Sequence, residues 1–123
     1  MGVQYWKDYQ GDLEKTWTLC LRMWRWIKDR VRAGDSRDVN ELKWAWLYKH
    51  VYTREEYPEN GCFFCDYDGV HGRYCSKCPG RLMQDNFHCN TVGVGPTYHD
   101  DPAGFYLWLR RLNDKRLREA RDE

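Results

Sequence analysis

The first long stretch of patterned residues has the period of an α-helix. Between residues 12 and 33, apolar side chains recur three or four positions apart, as they do along one helix face. They are Leu13, Trp17, Cys20, Leu21, Trp24, Ile27 and Val31. Gly34 follows, and glycine is the residue that most often ends a helix. The pattern therefore predicts a long N-terminal helix over residues 12–33.

A second apolar stripe, formed by Leu19, Met23 and Trp26, lies beside the first. Together the two stripes cover more of the helix surface than one neighbouring element buries. The helix is therefore either central to the fold or half exposed as a docking face. A broad aromatic stripe is more often core, so we expect a central position. Cys20 lies in the first stripe and is expected to be a small core residue.

A short second helix is predicted from its start signal. Asp38 and Glu41 match a capping box, in which the aspartate accepts from the third helical amide and the glutamate reaches back. The helix should cover residues 38–49. Its buried side consists of Val39, Leu42, Trp46 and Leu47, and Trp44 lies elsewhere on the helix surface.

A closing helix is predicted over residues 102–118. Asp101 followed by Pro102 reads as a cap and a first helical residue, and apolar residues then recur at helical spacing. These are Phe105, Trp108, Leu109 and Leu112. The mostly polar residues from Arg116 onward are expected to fray into solvent.

The stretch from Gly61 to Asp101 has no helical period and holds five of the six cysteines. We expect irregular loops resembling a zinc knuckle or ribbon, with a small hairpin as an option that would make the fold α+β. The predicted fold class is therefore mainly α with a small irregular zinc-binding segment. The length of 123 residues suits one domain, residues 1–123.

Two C-x2-C pairs are the strongest chemical signal in the sequence. Cys62, Cys65, Cys75 and Cys78 can present four thiolates to one tetrahedral zinc ion, and we favour this set. In the main alternative Cys89 replaces one of the second pair, most plausibly Cys75, and a ligand from His88 or His71 is less favoured. Four thiolates indicate one closed, structural zinc rather than a catalytic one. The absence of a secretory signal disfavours disulfides.

Composition and charge exclude several classes of protein. The mean hydropathy of −0.94 would suit a disordered chain, but seven Trp, nine Tyr and four Phe indicate a folded one. No stretch is apolar enough to span a membrane, and residues 1–10 are too polar for a secretory signal, so we expect a cytoplasmic protein without membrane contact. The formal net charge is only +1, and zinc-bound thiolates would make it slightly negative, which disfavours nucleic acid as a partner.

The cysteine pattern resembles that of a set of small bacteriophage proteins. These carry a C-x2-C, a C-x2-C-P and a further cysteine before a closing helix, as do Cys62–Cys65, Cys75–Pro79 and Cys89 in this sequence. The resemblance extends over about residues 42–112. It implies a phage-encoded accessory protein that engages an enzyme or a defence complex of the bacterial host.

The surplus of aromatic and arginine residues predicts a protein-binding function. Trp26 and Trp44, with Arg22 and Arg25 nearby, exceed what one buried stripe requires, and Trp and Arg dominate interface energies. We therefore expect a zinc-stabilised module that binds another protein, probably of the host if the resemblance holds, and that modulates or inhibits it.

Two other functions compete with this hypothesis. Zinc ribbons often bind nucleic acid, and Arg111, Lys115 and Arg118 are at helical spacing, with Arg110 and Arg116 beside them, but acids interleave with these cations. A zinc-braced nuclease would use His71, His88, His99, Asp100 and Asp101. Neither a zincin nor a hydrolase, P-loop or deaminase motif is present, and acids before a helix act as caps, so we predict no enzymatic activity.

Overall fold

The computed structural model describes residues 12–50, 63–64, 67–68, 78–84, 87 and 96–121. Four helices are described: α1 (Leu13–Arg32), α2 (Val39–His50), α3 (Pro79–Met83) and α4 (Pro102–Arg121). Within these residues the chain is mainly helical and forms no strand. The expected α-rich class is confirmed to this extent. None of the described helices is long and apolar enough to cross a bilayer.

Both ends of α1 are fixed by local hydrogen bonds. Asp12 Oδ1 accepts from the amide of Lys15 at 2.9 Å and caps the first turn. At the other end Gly34 adopts φ +86°, a conformation that only glycine takes without strain. The amides of Gly34 and Asp35 then reach the carbonyls of Val31 and Arg30 at 3.1 Å, which is a Schellman motif. Gly34 thus ends the helix as predicted.

The turn between α1 and α2 is organised by the carboxylate of Asp35. It accepts from Arg37 at 2.7 Å from Nη2 and at 3.0 Å from both the amide and Nε, and from Arg30 Nε at 3.1 Å. The hydrogen bonds from the Arg37 side chain and then from its amide hold the pKa of Asp35 well below its usual range. The carboxylate therefore stays charged and braces the turn.

The capping box at the start of α2 is present. Glu41 Oε1 accepts from the amide of Asp38 at 3.0 Å, and Asp38 Oδ2 accepts from the amide of Asn40 at 3.0 Å. The aspartate therefore caps the second helical amide rather than the third. The predicted buried side of α2 is confirmed, and Lys43 joins it at 5% exposure.

The closing helix begins at Pro102, as predicted, with Asp101 as its cap. Asp101 Oδ1 accepts from the amide of Gly104 at 3.0 Å. A Cβ atom at Gly104 would lie 2.3 Å from Asp101 Oδ2, so only glycine fits beside this cap.

The expectation that α4 frays from Arg116 onward is wrong, because the helix continues to Arg121. Arg116 anchors this part by placing its guanidinium 5.5 Å from the centre of the Trp17 ring, and Nη2 donates to Glu14 Oε1 at 3.1 Å. The anchor is a contact between residues a hundred positions apart, which helix periodicity does not reveal.

One hydrophobic core lies between the helices, and α1 contacts both α2 and α4. Both apolar stripes of α1 contribute to it, including Cys20 and the fully buried Met23. The interpretation of α1 as central is therefore confirmed. Val31 departs from the prediction and is exposed, because the residues of the last turn of α1 all lie at the surface.

Part of the segment expected to be irregular is helical. Residues 63–64 and 67–68 have helical conformation, and α3 occupies Pro79–Met83. A Pro at the first helical position, directly after Cys78, favours this start. The expectation of loops throughout residues 61–101 is thus wrong at these positions, and a hairpin is not among the described residues.

Candidate functional site

Of the favoured zinc ligands, Cys78 lies within the described residues. It immediately precedes α3 and is 8% exposed. The other candidates lie outside the described residues: Cys62, Cys65, Cys75, Cys89, His71 and His88. In the part of the chain that is described, no three His, Cys, Asp or Glu side chains are grouped as a metal site. The surroundings of the cysteines are therefore known through their neighbours in sequence.

Those neighbours converge on the ring of Phe87. Phe64, which directly precedes Cys65, has its ring centroid 6.1 Å from that of Phe87. Gly80, two residues after Cys78, faces the same ring so closely that a Cβ atom there would lie 2.5 Å from it. Phe87 itself stands two residues before Cys89. Three cysteine-bearing stretches thus carry residues that meet at one side chain.

The converging residues are joined to the helical core. Phe64 packs edge-on against Trp17 of α1 at 4.8 Å between ring centroids, and Phe87 packs against Trp108 of α4 at 4.7 Å. Phe63 packs edge-on against Trp46 of α2 at 6.0 Å. The two phenylalanines of Cys62-Phe-Phe-Cys65 are only 1% and 3% exposed. They therefore attach the first cysteine pair to α1 and α2.

Sequence reasoning did not identify these phenylalanines as core residues. The available signal was the pair of large apolar residues inside a C-x2-C motif, where small or polar residues would suffice to bend the chain. Phe87 carried no such signal, because it stands alone among polar residues and its partners are distant in sequence.

The residues predicted to bind a partner lie at or near the surface. Arg22 and Arg25 are exposed on α1, and Trp26 beside them is half-buried against the core. Trp44 is half-buried on α2, and its ring lies 6.3 Å from that of Tyr48, one turn further along. Tyr48 is 59% exposed and extends this surface beyond the predicted residues.

The cations predicted for a nucleic-acid surface on α4 are partly engaged within the protein. Lys115 Nζ donates to the carbonyl of Met83 at 3.0 Å and lies 4.0 Å from Glu119. Arg116 is bound to Trp17 and Glu14, as described above. Arg110, Arg111 and Arg118 are exposed, but Asp114 and Glu119 are exposed on the same helix. This is a helix surface of mixed charge.

The acids and the histidine proposed for a nuclease have structural contacts where they are described. His99 Nε2 lies 3.0 Å from Asp38 Oδ1, and His99 Nδ1 lies 3.5 Å from Asp100. Asp101 caps α4. The hydrogen bond to Asp38, followed by that to Asp100, raises the pKa of His99. His99 therefore links the segment before α4 to the first turn of α2.

We expect the link between His99 and Asp38 to make stability depend on pH. The pKa of Asp38 is lowered, first by the amide of Asn40 and then by His99. The contribution of the pair is complete between the ordinary pKa values of 3.8 and 6.5. It is lost as pH rises through the raised pKa of His99 or falls through the lowered pKa of Asp38. His99→Gln should thus lower the urea midpoint most near pH 6 and progressively less in more basic buffer.

Asp38→Asn is the matched control for this prediction, since asparagine caps helices about as well as aspartate but carries no charge. In that background the effect of His99→Gln should lose most of its pH dependence. Both groups are exposed, so the effect is small and weakens with added salt. Parallel pH profiles for the wild type and His99→Gln would contradict the predicted link.

No protein-family model, curated protein or solved structure matches this chain. Its function is therefore inferred from its own residues and their arrangement.

Proposed function

We propose that this protein is a zinc-stabilised module that binds another protein. The observation that carries the binding function is the composition of α2, which is apolar on two sides. One side is buried in the core, and Trp44 and Tyr48 lie on another part of its surface. A helix that only completed a core would gain nothing from a second aromatic surface in contact with water.

The proposed binding surface consists of Trp44 and Tyr48 on α2 and of Arg22, Arg25 and Trp26 on α1. Aromatic and arginine side chains provide most of the energy in protein interfaces, because they bury a large area and lose little conformational entropy. The two helices pack against each other, so these residues belong to adjoining elements. The resemblance to phage proteins supports a host enzyme or defence complex as the partner, which this protein would modulate or inhibit.

The zinc part of the proposal is supported by the convergence at Phe87. Residues adjacent to the first cysteine pair, the second pair and Cys89 all approach this ring. Cysteine thiolates are the preferred ligands of structural zinc, and four of them from Cys62, Cys65, Cys75, Cys78 and Cys89 would close a tetrahedral site. The ion would fix the positions of the three stretches, and the protein residues would supply the packing.

The binding surface is tested by capture with immobilised protein followed by mass spectrometry. We expect a specific host protein to be retained by the wild type and lost on Trp44→Ala/Tyr48→Ala. The matched control is Leu107→Ala/Leu117→Ala, which removes two exposed apolar side chains from α4 instead. Truncating a central interface aromatic commonly costs 2 kcal/mol or more, about 30-fold in affinity.

The binding proposal also has a clear contradicting result. Circular dichroism must first show that both double variants retain the fold, which we expect because Tyr48, Leu107 and Leu117 are exposed. If the captured protein is then retained equally by the wild type and both variants, the surface on α2 is not the docking site. A dependence on the α4 pair alone would move the site to α4.

A further inference from the structure

His50, the last residue of α2, is held in an orientation suited to binding a metal ion. Its Nδ1 lies 2.8 Å from the carbonyl oxygen of Trp46. A carbonyl only accepts hydrogen bonds, so Nδ1 carries the proton of the neutral ring. The lone pair is then on Nε2, for which no hydrogen bond is seen within the described residues.

The ring of His50 is also fixed by stacking. It lies on the indole of Trp46 with 4.1 Å between centroids and 21° between planes. Zinc-bound histidines commonly donate their second ring nitrogen to a carboxylate or backbone carbonyl, which sets both the tautomer and the direction of the ligand. His50 has this second-shell contact already, together with an aromatic wall.

The same indole connects His50 to the first cysteine pair. Phe63 packs edge-on against Trp46 at 6.0 Å, so the ring centroids of Phe63 and His50 lie within about 10 Å of each other. Cys62 is the residue before Phe63, and consecutive Cα atoms are about 3.8 Å apart. His50 and the backbone at Cys62 therefore occupy the same side of the molecule.

We infer that Nε2 of His50 is a ligand of the proposed zinc ion, alongside three thiolates of the cysteine segment. This inference rests on the zinc site put forward above and changes its donor set from four sulfurs to three sulfurs and one nitrogen. Such a set also forms closed tetrahedral zinc sites. It ties the ion directly to α2, the helix that carries Trp44 and Tyr48, so metal binding and the position of the binding surface are coupled.

A purely structural role for His50 makes a different prediction. Histidine near a helix C-terminus can satisfy a backbone carbonyl of the last turn without any metal. In that case the environment of Nε2 would be indifferent to zinc. The two roles therefore differ in the state of one nitrogen atom, which can be observed in the unmodified protein.

The test is long-range ¹H–¹⁵N NMR of histidine side chains in zinc-loaded wild-type protein, combined with cobalt substitution. We expect Nε2 of His50 to show the shift of a metal-bound nitrogen, while His99 in the same spectrum does not. The cobalt protein should show a thiolate charge-transfer band and a ligand-field spectrum of three sulfurs and one nitrogen. His50→Gln should weaken zinc affinity by at least the roughly 10–100-fold that follows loss of an outer-shell partner, and His99→Gln should leave it unchanged.

The outcomes separate this inference from the proposal on which it rests. A four-sulfur cobalt spectrum with an unperturbed Nε2 of His50 would overturn the assignment of His50 and leave the zinc site standing. A complete lack of a thiolate charge-transfer band would overturn both. The NMR measurement needs no substitution, so it decides the question even if His50→Gln fails to fold.

Discussion

Replacing Gly80 by alanine should lower the free energy of unfolding by about 2–3 kcal/mol, as expected for overpacking a filled core. The added Cβ atom would lie 2.5 Å from Cδ1 and Cε1 of Phe87 and 2.8 Å from Cγ. The Phe87 ring is in turn enclosed by Phe64, Phe105 and Trp108, so it has little room to move away. Helix propensity alone predicts the opposite sign, because alanine stabilises a helix interior by about 1 kcal/mol relative to glycine.

Urea unfolding followed by tryptophan fluorescence measures this effect. Leu82→Ala is the matched control, since it changes an exposed side chain of the same helix and should shift stability by well under 1 kcal/mol. Phe87→Leu should relieve part of the clash, so Gly80→Ala/Phe87→Leu should be less destabilised than the sum of the single variants. A Gly80→Ala protein as stable as the wild type would show that Phe87 does not pack against α3 as described.

Local sequence signals predicted the long helices well. Asp38 and Glu41 gave the start of α2, Asp101 and Pro102 gave the start of α4, and Gly34 gave the end of α1. Each of these signals acts through hydrogen bonds or backbone angles within a few residues. The sequence therefore contains the complete physical cause of each boundary. The buried faces followed for the same reason, since helical periodicity is also local.

The contacts around the cysteines were not predictable in this way. Phe64 meets Trp17, and Phe87 meets Trp108, across long stretches of chain. Lys43 was expected to be polar surface, yet it is buried with Nζ 4.7 Å from the centre of the Tyr98 ring. Arg116 was assigned to a fraying end although it packs on Trp17. Each of these outcomes depends on which distant residue becomes a neighbour, and no repeat in the sequence encodes that.

Removing the metal is expected to have the largest effect of all. Structural zinc sites in small motifs contribute on the order of 10 kcal/mol of apparent binding free energy, comparable to the whole stability of a small protein. Phe63, Phe64 and Gly80, which are adjacent or close in sequence to the proposed ligands, pack into the shared core. Loss of zinc should therefore disturb α1, α2 and α4, and not the cysteine segment alone.

The spectroscopic consequence of metal loss follows from the packing of Phe64 on Trp17. Chelation should change the near-ultraviolet circular dichroism and the tryptophan emission, because this edge-on contact would be lost. Restoring zinc should reverse the change, whereas magnesium should not, since it prefers oxygen ligands. Cys20→Ala is the matched control for cysteine substitutions: Cys20 is buried in the helical core, so this variant should keep its zinc while Cys62→Ser loses it.

The most direct measurement is the zinc content of metal-replete protein, taken together with its thermal unfolding before and after a strong chelator. The account predicts one equivalent of zinc per chain and a large fall in the unfolding temperature once the ion is removed. Protein that contains much less than one equivalent, or that melts at the same temperature with and without chelator, would contradict it.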